Sequence, residues 1–485
     1  MPVENHSHSL LLQAGLFWGL ALVLGALAWT DLMTVEVLLI SAVAFSLIWP
    51  MTRRALHKRL DCFEPIVLGN LSLAAMFVAR PIYDLVSGRL IHAGYSIAPT
   101  FNEALWIALI GSVMLQIGYF APAGSWLANR LPRPPSFRPG LAELSAWAYV
   151  LLGAGLFGIF LEKNGGMRLL LLFFHGRHHF FNDLFLNSTG YLYNGILMWG
   201  AAALIFFALS MIKRGYRFPI CFGLTSAFFL FFYAAQGTRS NLLPLVMALP
   251  VFWYLRHHRR PRAATLLIAA LLGAAVLGWL RDVRTPGTDP QTTHRLVSAL
   301  SSPIREASNI LAGPDTEMFD SLANALLVVP ERVPFNHGGT ATDVLIRAVP
   351  RPLWPNKPLE SNDALVQALW PAHYSASRAS PAFSILGPLY ADSGLPSVAA
   401  GMICIGCLLS TFWHWLQRYG RQPVAQLIYA MALPFVIILM RGSIPDTLSR
   451  MLFLVCPLVL LMLLMRLRFR FLPRLRAGLF RHSQS

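Results

Sequence analysis

Apolar residues fall along this chain in blocks of about twenty, each closed by a short polar break, and a block of that length is what a helix needs to cross a bilayer. The blocks predict spans at 10–29, 35–51, 64–84, 103–121, 143–162, 190–211, 218–236, 240–255, 263–280, 391–416, 423–440 and 447–465. A single apolar segment in lipid must satisfy its own backbone hydrogen bonds, so each is expected to be helical. One long polar interval interrupts the series, between residues 281 and 380. The expected fold is therefore an all-α, polytopic integral membrane protein with about twelve transmembrane helices and one large extracytoplasmic loop. Residues 1–280 would hold helices one to nine, 281–380 a loop with short helices, 381–466 helices ten to twelve, and 467–485 a basic tail.

Composition agrees with this pattern. Of the 485 residues, 56% are hydrophobic and 13% charged, against about a quarter charged in soluble domains. A soluble enzyme, a disordered tail and a secreted disulfide scaffold are excluded. The five cysteines lie in or beside apolar runs, and Cys404 and Cys407 are expected to pack as small apolar residues. Leu10–Trp29 resembles a secretory signal, but Met1–Ser9 lacks the basic residues such a signal begins with, so an uncleaved first span is expected.

The formal net charge of +17 would suggest a nucleic-acid partner in a soluble protein. Its distribution gives it another meaning. Twenty-two of the 39 basic residues sit in six clusters: Arg53 to Arg59, Arg130 to Arg138, Lys213 to Arg217, Arg256 to Arg262, Arg418 with Arg421, and the tail from Arg466. These follow every second span. The positive-inside rule then puts both termini in the cytoplasm. No nucleic-acid partner is needed to explain the charge; the lipid bilayer is the expected surrounding.

The opposite side carries the candidate chemistry. A charge at membrane depth is costly, so its presence there points to function. Arg239 stands in the short turn Gln236-Gly237-Thr238-Arg239-Ser240-Asn241, while Arg80, Arg441 and Arg450 lie at other outer span ends. Planar guanidinium groups recognise phosphate bidentately, so together they suggest a polyanion site. Within the long loop, four prolines in nine residues stiffen Pro350 to Pro358 and hold Arg351 and Lys357. The smaller outer loop, 163–189, has His175, Arg177, His178 and His179 but few carboxylates, and is expected to be hydrated.

The segment Pro350-Arg351-Pro352-Leu353-Trp354-Pro355-Asn356-Lys357-Pro358, followed by Phe383-Ser384-Ile385-Leu386-Gly387-Pro388-Leu389-Tyr390-Ala391-Asp392-Ser393-Gly394, resembles the signature of bacterial O-antigen polymerases, also called oligosaccharide repeat unit polymerases. The Gln236–Asn241 turn and the run from Glu317 to Asp320 fit that pattern too. The resemblance implies a bacterial inner-membrane protein whose substrate is an undecaprenyl-diphosphate-linked oligosaccharide. It would join repeat units at the outer face, for O-antigen or exopolysaccharide. A chain-length regulator protein is a further candidate partner. An acceptor hydroxyl would attack the donor's anomeric carbon and lipid diphosphate would leave, through an oxocarbenium-like transition state. Such a step needs cations at the diphosphate and a base for the hydroxyl proton. Arg239, Arg351, Lys357, Arg378 and Arg441 are the candidate cations, and Glu317, Asp320, His373 and Asp392 the candidate bases. No Asp-x-Asp metal motif occurs in the loop, so neither metal nor other cofactor is expected. Glycan transfer by an O-antigen ligase and a lipid-linked oligosaccharide flippase are the alternatives. A flippase would place charge at mid-membrane depth and show a pseudo-repeat, and neither is apparent here.

Overall fold

The computed structural model describes residues 34–58, 60–173, 190–236, 238–262, 264–266, 268–269, 273, 313, 316–349, 354, 356, 358–377, 382–442 and 444–466. The chain is an all-α, multi-pass membrane protein. Among the described residues, eight helices are long and apolar enough to cross a bilayer: Val35–Leu56, Pro65–Ser87, Ala98–Phe120, Pro139–Lys163, Asn194–Ile212, Arg217–Ala235, Leu395–Tyr419 and Pro423–Arg441. A ninth span is made if the pair Ile444–Leu454 and Cys456–Arg466, bent by 48°, is counted as one. The only sheet among the described residues is a two-stranded antiparallel ribbon, Ile91–His92 with Tyr95–Ser96.

Of the twelve expected spans, the described residues show eight, or nine with the bent pair. Residues 240–255 do form a helix, Arg239–Arg256, but Pro244 and Pro250 lie inside it and Arg239 and Arg256 close its ends, and it is not among the eight. The last expected span is broken rather than straight. Spans 10–29 and 263–280 fall on residues that are largely or wholly outside those described.

Within the expected loop 281–380, the described residues form short helices, and the first of them packs into the bundle. The helix Met318–Leu326 is buried along its whole length. Met318, Phe319, Leu322 and Ala323 belong to the same continuous apolar core as the spans, and Phe319 packs edge-on to Phe77 and Phe101. Further short helices follow at Gly339–Ala348, Ser361–Leu369, Pro371–Ser377 and Leu386–Ser393. A satellite cluster around Val328, Leu365, Val366, Leu369 and Phe383 joins three parts of this layer.

Helices in lipid gain little hydrophobic energy from meeting one another, so close contact and interhelical hydrogen bonds must hold them. Ala98–Phe120 and Leu395–Tyr419 approach one another most closely. Their backbones touch at two glycines: a Cβ on Gly118 would fall on the Ile403 carbonyl oxygen, and one on Gly406 on the Leu115 carbonyl oxygen. Cys407 fills the adjacent gap and donates to the Gly118 carbonyl at 3.2 Å. Buried polar ties link neighbouring helices: Gln116 to Asn70 at 2.7 Å, Asn70 to the Leu47 carbonyl at 2.9 Å, and Ser46 with Ser112 at 2.6 Å. Gly118→Val is expected to separate the pair and cost at least about 3 kcal/mol, the upper range for overpacking a core. A fall in melting temperature in detergent checks this; Gly155→Val, where a Cβ meets nothing, serves as control.

Candidate functional site

Chain direction brings several helix ends to one side. Pro65–Ser87 and Pro423–Arg441 end there, while Ala98–Phe120, Leu395–Tyr419 and Ile444–Leu454 begin there, covered by the short helices after residue 316. At the other end Arg54 pairs with Glu64 at 2.9 Å and Arg260 with Asp61 at 2.6 Å, within the basic links. Two ionic clusters stand on the covered side.

The first is built on Arg80, near the end of Pro65–Ser87. The helix winds wide at Ala75–Ala79, just before it, and a local widening of this kind is frequent at functional sites. Arg80 Nε donates to Asp84 Oδ2 at 3.1 Å, one turn on, and Nη2 donates to Asp320 Oδ2 at 2.5 Å. All three side chains are buried, with relative exposures of 6%, 0% and 1%. His92 Nδ1 lies 3.5 Å from the same Asp320 oxygen. The ribbon carrying His92 is pinned from three directions. Asn324 Nδ2 donates to the His92 carbonyl at 3.2 Å, Trp370 Nε1 to the Ala93 carbonyl at 3.0 Å, and Tyr95 Oη to the Leu369 carbonyl at 2.7 Å. Burial and the nearby cations Arg80 and Arg89 hold the imidazole below its ordinary value, with the Asp320 carboxylate opposing them.

The second cluster surrounds Asp446, in the first turn of Ile444–Leu454, where the helix N-terminus favours negative charge. Arg450 Nη2 is 3.0 Å from Asp446 Oδ2 and Arg347 Nη2 is 3.5 Å from Oδ1. Arg347 Nη1 also donates to Glu360 Oε2 at 2.7 Å. Arg441 lies within electrostatic reach of Asp446. Among the described residues, Arg347, Arg441 and Arg450 thus gather around Asp446, with Glu360 also held by Arg347. Arg450 Nη1 and the Tyr233 hydroxyl are buried without a hydrogen-bond partner among the described residues, and the two residues interact electrostatically.

The expected site residues distribute unevenly over this geometry. Asp320 is the centre of the first cluster and Arg441 a member of the second. Glu317 stands immediately before the helix that carries Asp320 and is half-buried. Asp392 holds structure together: its Oδ1 accepts the backbone N–H of Gly338 at 3.2 Å and Thr340 at 3.0 Å, capping Gly339–Ala348 from a different helix. Its carbonyl accepts the His337 N–H at 2.8 Å and so holds His337 at a φ of 42°. Arg239 begins the Arg239–Arg256 helix, just beyond Gln236, which accepts a 2.5 Å hydrogen bond from Tyr193. His373 lies on Pro371–Ser377, and its side chain is outside the described set. Arg351, Lys357 and Arg378 lie outside the described residues.

Sequence inspection missed His92, Asp84, Arg347 and Asp446. A signal existed for one of them, since Arg80 and Asp84 are four apart at the end of an apolar span and must share a helix face. Among the described residues, no three or more His, Cys, Asp or Glu side chains gather to hold a metal ion. The chain matches no protein-family model, no curated protein and no solved structure.

Proposed function

We propose that this chain is a membrane glycosyltransferase that polymerises repeat units carried on undecaprenyl diphosphate, at the outer face of a bacterial inner membrane and with both termini cytoplasmic. The observation that supports this reading best is the convergence of Arg347, Arg441 and Arg450 around Asp446, with Arg450 Nη1 and the Tyr233 hydroxyl buried and without hydrogen-bond partners among the described residues. Guanidinium groups gathered at the end of a helical bundle suit a diphosphate whose lipid tail lies in the bilayer. Buried donors without acceptors are costly, and phosphate oxygens would satisfy them. The sidedness rests on the basic links, which the positive-inside rule assigns to the cytoplasm.

In this reading the arginines stabilise charge growing on the leaving diphosphate, an interaction stronger in the transition state than before it. Asp446 keeps two of them at fixed spacing. The test is reconstitution of the purified protein in liposomes with a lipid-diphosphate-linked repeat unit. A ladder of longer glycans, with one lipid diphosphate released per bond formed, is expected. Transfer only to a lipid A core acceptor would make the chain a ligase. Movement of the lipid across the bilayer with no new bond would make it a flippase.

A further inference from the structure

Resting on the transferase reading, we propose that His92 removes the proton of the acceptor hydroxyl and that Asp320, clamped by Arg80, positions the imidazole for it. Three observations meet here. His92 and Asp320 come from distant parts of the chain, yet Nδ1 and Oδ2 stand 3.5 Å apart. A carboxylate on one ring nitrogen fixes the tautomer that leaves the other nitrogen free to accept a proton. Catalytic hydrogen bonds are often longer than ideal before substrate binds.

Asp320 itself is held by Arg80, which Asp84 orients in turn, so the carboxylate has a fixed direction inside the core. The same helix also presents the Ser321 hydroxyl and the Asn324 amide oxygen, both buried and without hydrogen-bond partners among the described residues. Unsatisfied polar groups beside an ordered carboxylate and imidazole mark a place where sugar hydroxyls would be welcome. Trp370 completes the setting, edge-on to the His92 ring with centroids 6.4 Å apart.

The step balances without a co-reactant. The acceptor oxygen forms the new bond to the donor's anomeric carbon, the bond from that carbon to the phosphate oxygen breaks, and the electron pair leaves with the lipid diphosphate. The hydroxyl proton goes to the distal nitrogen of His92. Because burial, Arg80 and Arg89 hold the imidazole below its ordinary value against the pull of Asp320, it is neutral and able to accept at neutral pH. The charged groups facing it are Asp320, Arg80 and Arg89, with Asp84 behind Arg80.

The experiment measures kcat and KM against pH for the full-length protein in liposomes. His92→Gln is expected to lower kcat by roughly 100-fold or more, in the range for a lost general base, with KM little changed. Asp320→Asn removes the charge that raises the imidazole's affinity for protons, so the acid limb of kcat/KM should move to lower pH. A residue that only supports the fold would not move that limb. If either variant fails to elute as folded protein, the wild-type profile decides. An acid limb with its inflection below the ordinary imidazole range supports the proposal; a profile with no acid limb overturns it. A wild-type ladder beside an equal kcat in folded His92→Gln overturns this inference alone. No ladder from the wild type overturns the transferase reading and this inference with it.

Discussion

Arg80→Met is expected to leave almost no folded protein. Arg80 is the shared partner of two carboxylates, Asp84 and Asp320, that are almost wholly removed from solvent. Removing one partner of a buried ionic group costs about 3–5 kcal/mol, because the remaining charge has nowhere to go. Here two carboxylates would remain, facing one another at the point where Met318–Leu326 enters the core. Stability totals for single domains are only about 5–15 kcal/mol, so the loss should appear as a missing monodisperse peak in size-exclusion chromatography. The triple variant Arg80→Met, Asp84→Asn, Asp320→Asn removes all three charges and should recover the peak. It should not recover polymerisation, since His92 would have lost its orienting carboxylate. A single Arg80→Met protein that melts like wild type would contradict the structural role given to this cluster.

Arg450→Met should act in the opposite manner, leaving the fold and removing function. Arg450 is half-buried, it contacts Asp446 one turn away, and one of its donor nitrogens is unpartnered. A half-exposed ion pair contributes little to stability, so the melting temperature should fall by only a few degrees. A hydrogen bond to a charged group is worth about 1.5–3 kcal/mol, which corresponds to roughly a 10- to 100-fold drop in kcat/KM. Arg450→Lys keeps the charge and loses the planar fork, so it should recover only part of that rate. Combining Arg450→Met with Arg347→Met should exceed the product of the single effects, since both arginines are held on one carboxylate. Full-length ladders from the double variant would remove this cluster from the catalytic machinery.

The span positions were legible in the sequence because twenty apolar residues in lipid have one economical backbone. Two of the expected positions differ in detail: Arg239, Ser240, Asn241 and Arg256 make the ends of Arg239–Arg256 polar, and the last span bends by 48° between Ile444–Leu454 and Cys456–Arg466. Met318, Phe319, Leu322 and Leu326 have a helical spacing, as expected of a short helix in the long loop. Ser321, Ala323, Asn324 and Ala325 between them are small or amide side chains, so every face of that helix can be buried, and it is. The site was half legible. Arg441 stood out as a charge at the end of an apolar segment, and Asp320 through the Glu317–Asp320 run that fits the polymerase resemblance. Their partners did not, because Asp320 meets Arg80 across 240 positions and Arg347 meets Asp446 across 99. Distances of that kind are set by packing alone. His92 had no sequence signal at all: a histidine in a short polar break gains meaning only when a carboxylate is found beside it.

The most direct measurement is the affinity of the purified protein for undecaprenyl diphosphate, with undecaprenyl monophosphate as the control lipid. Wild type should prefer the diphosphate, and Arg450→Met and Arg347→Met should each weaken that binding by about tenfold or more, roughly 1.4 kcal/mol per arginine, with the monophosphate less affected. Equal affinity for the diphosphate in wild type and both variants would contradict the assignment of these guanidinium groups to a lipid diphosphate.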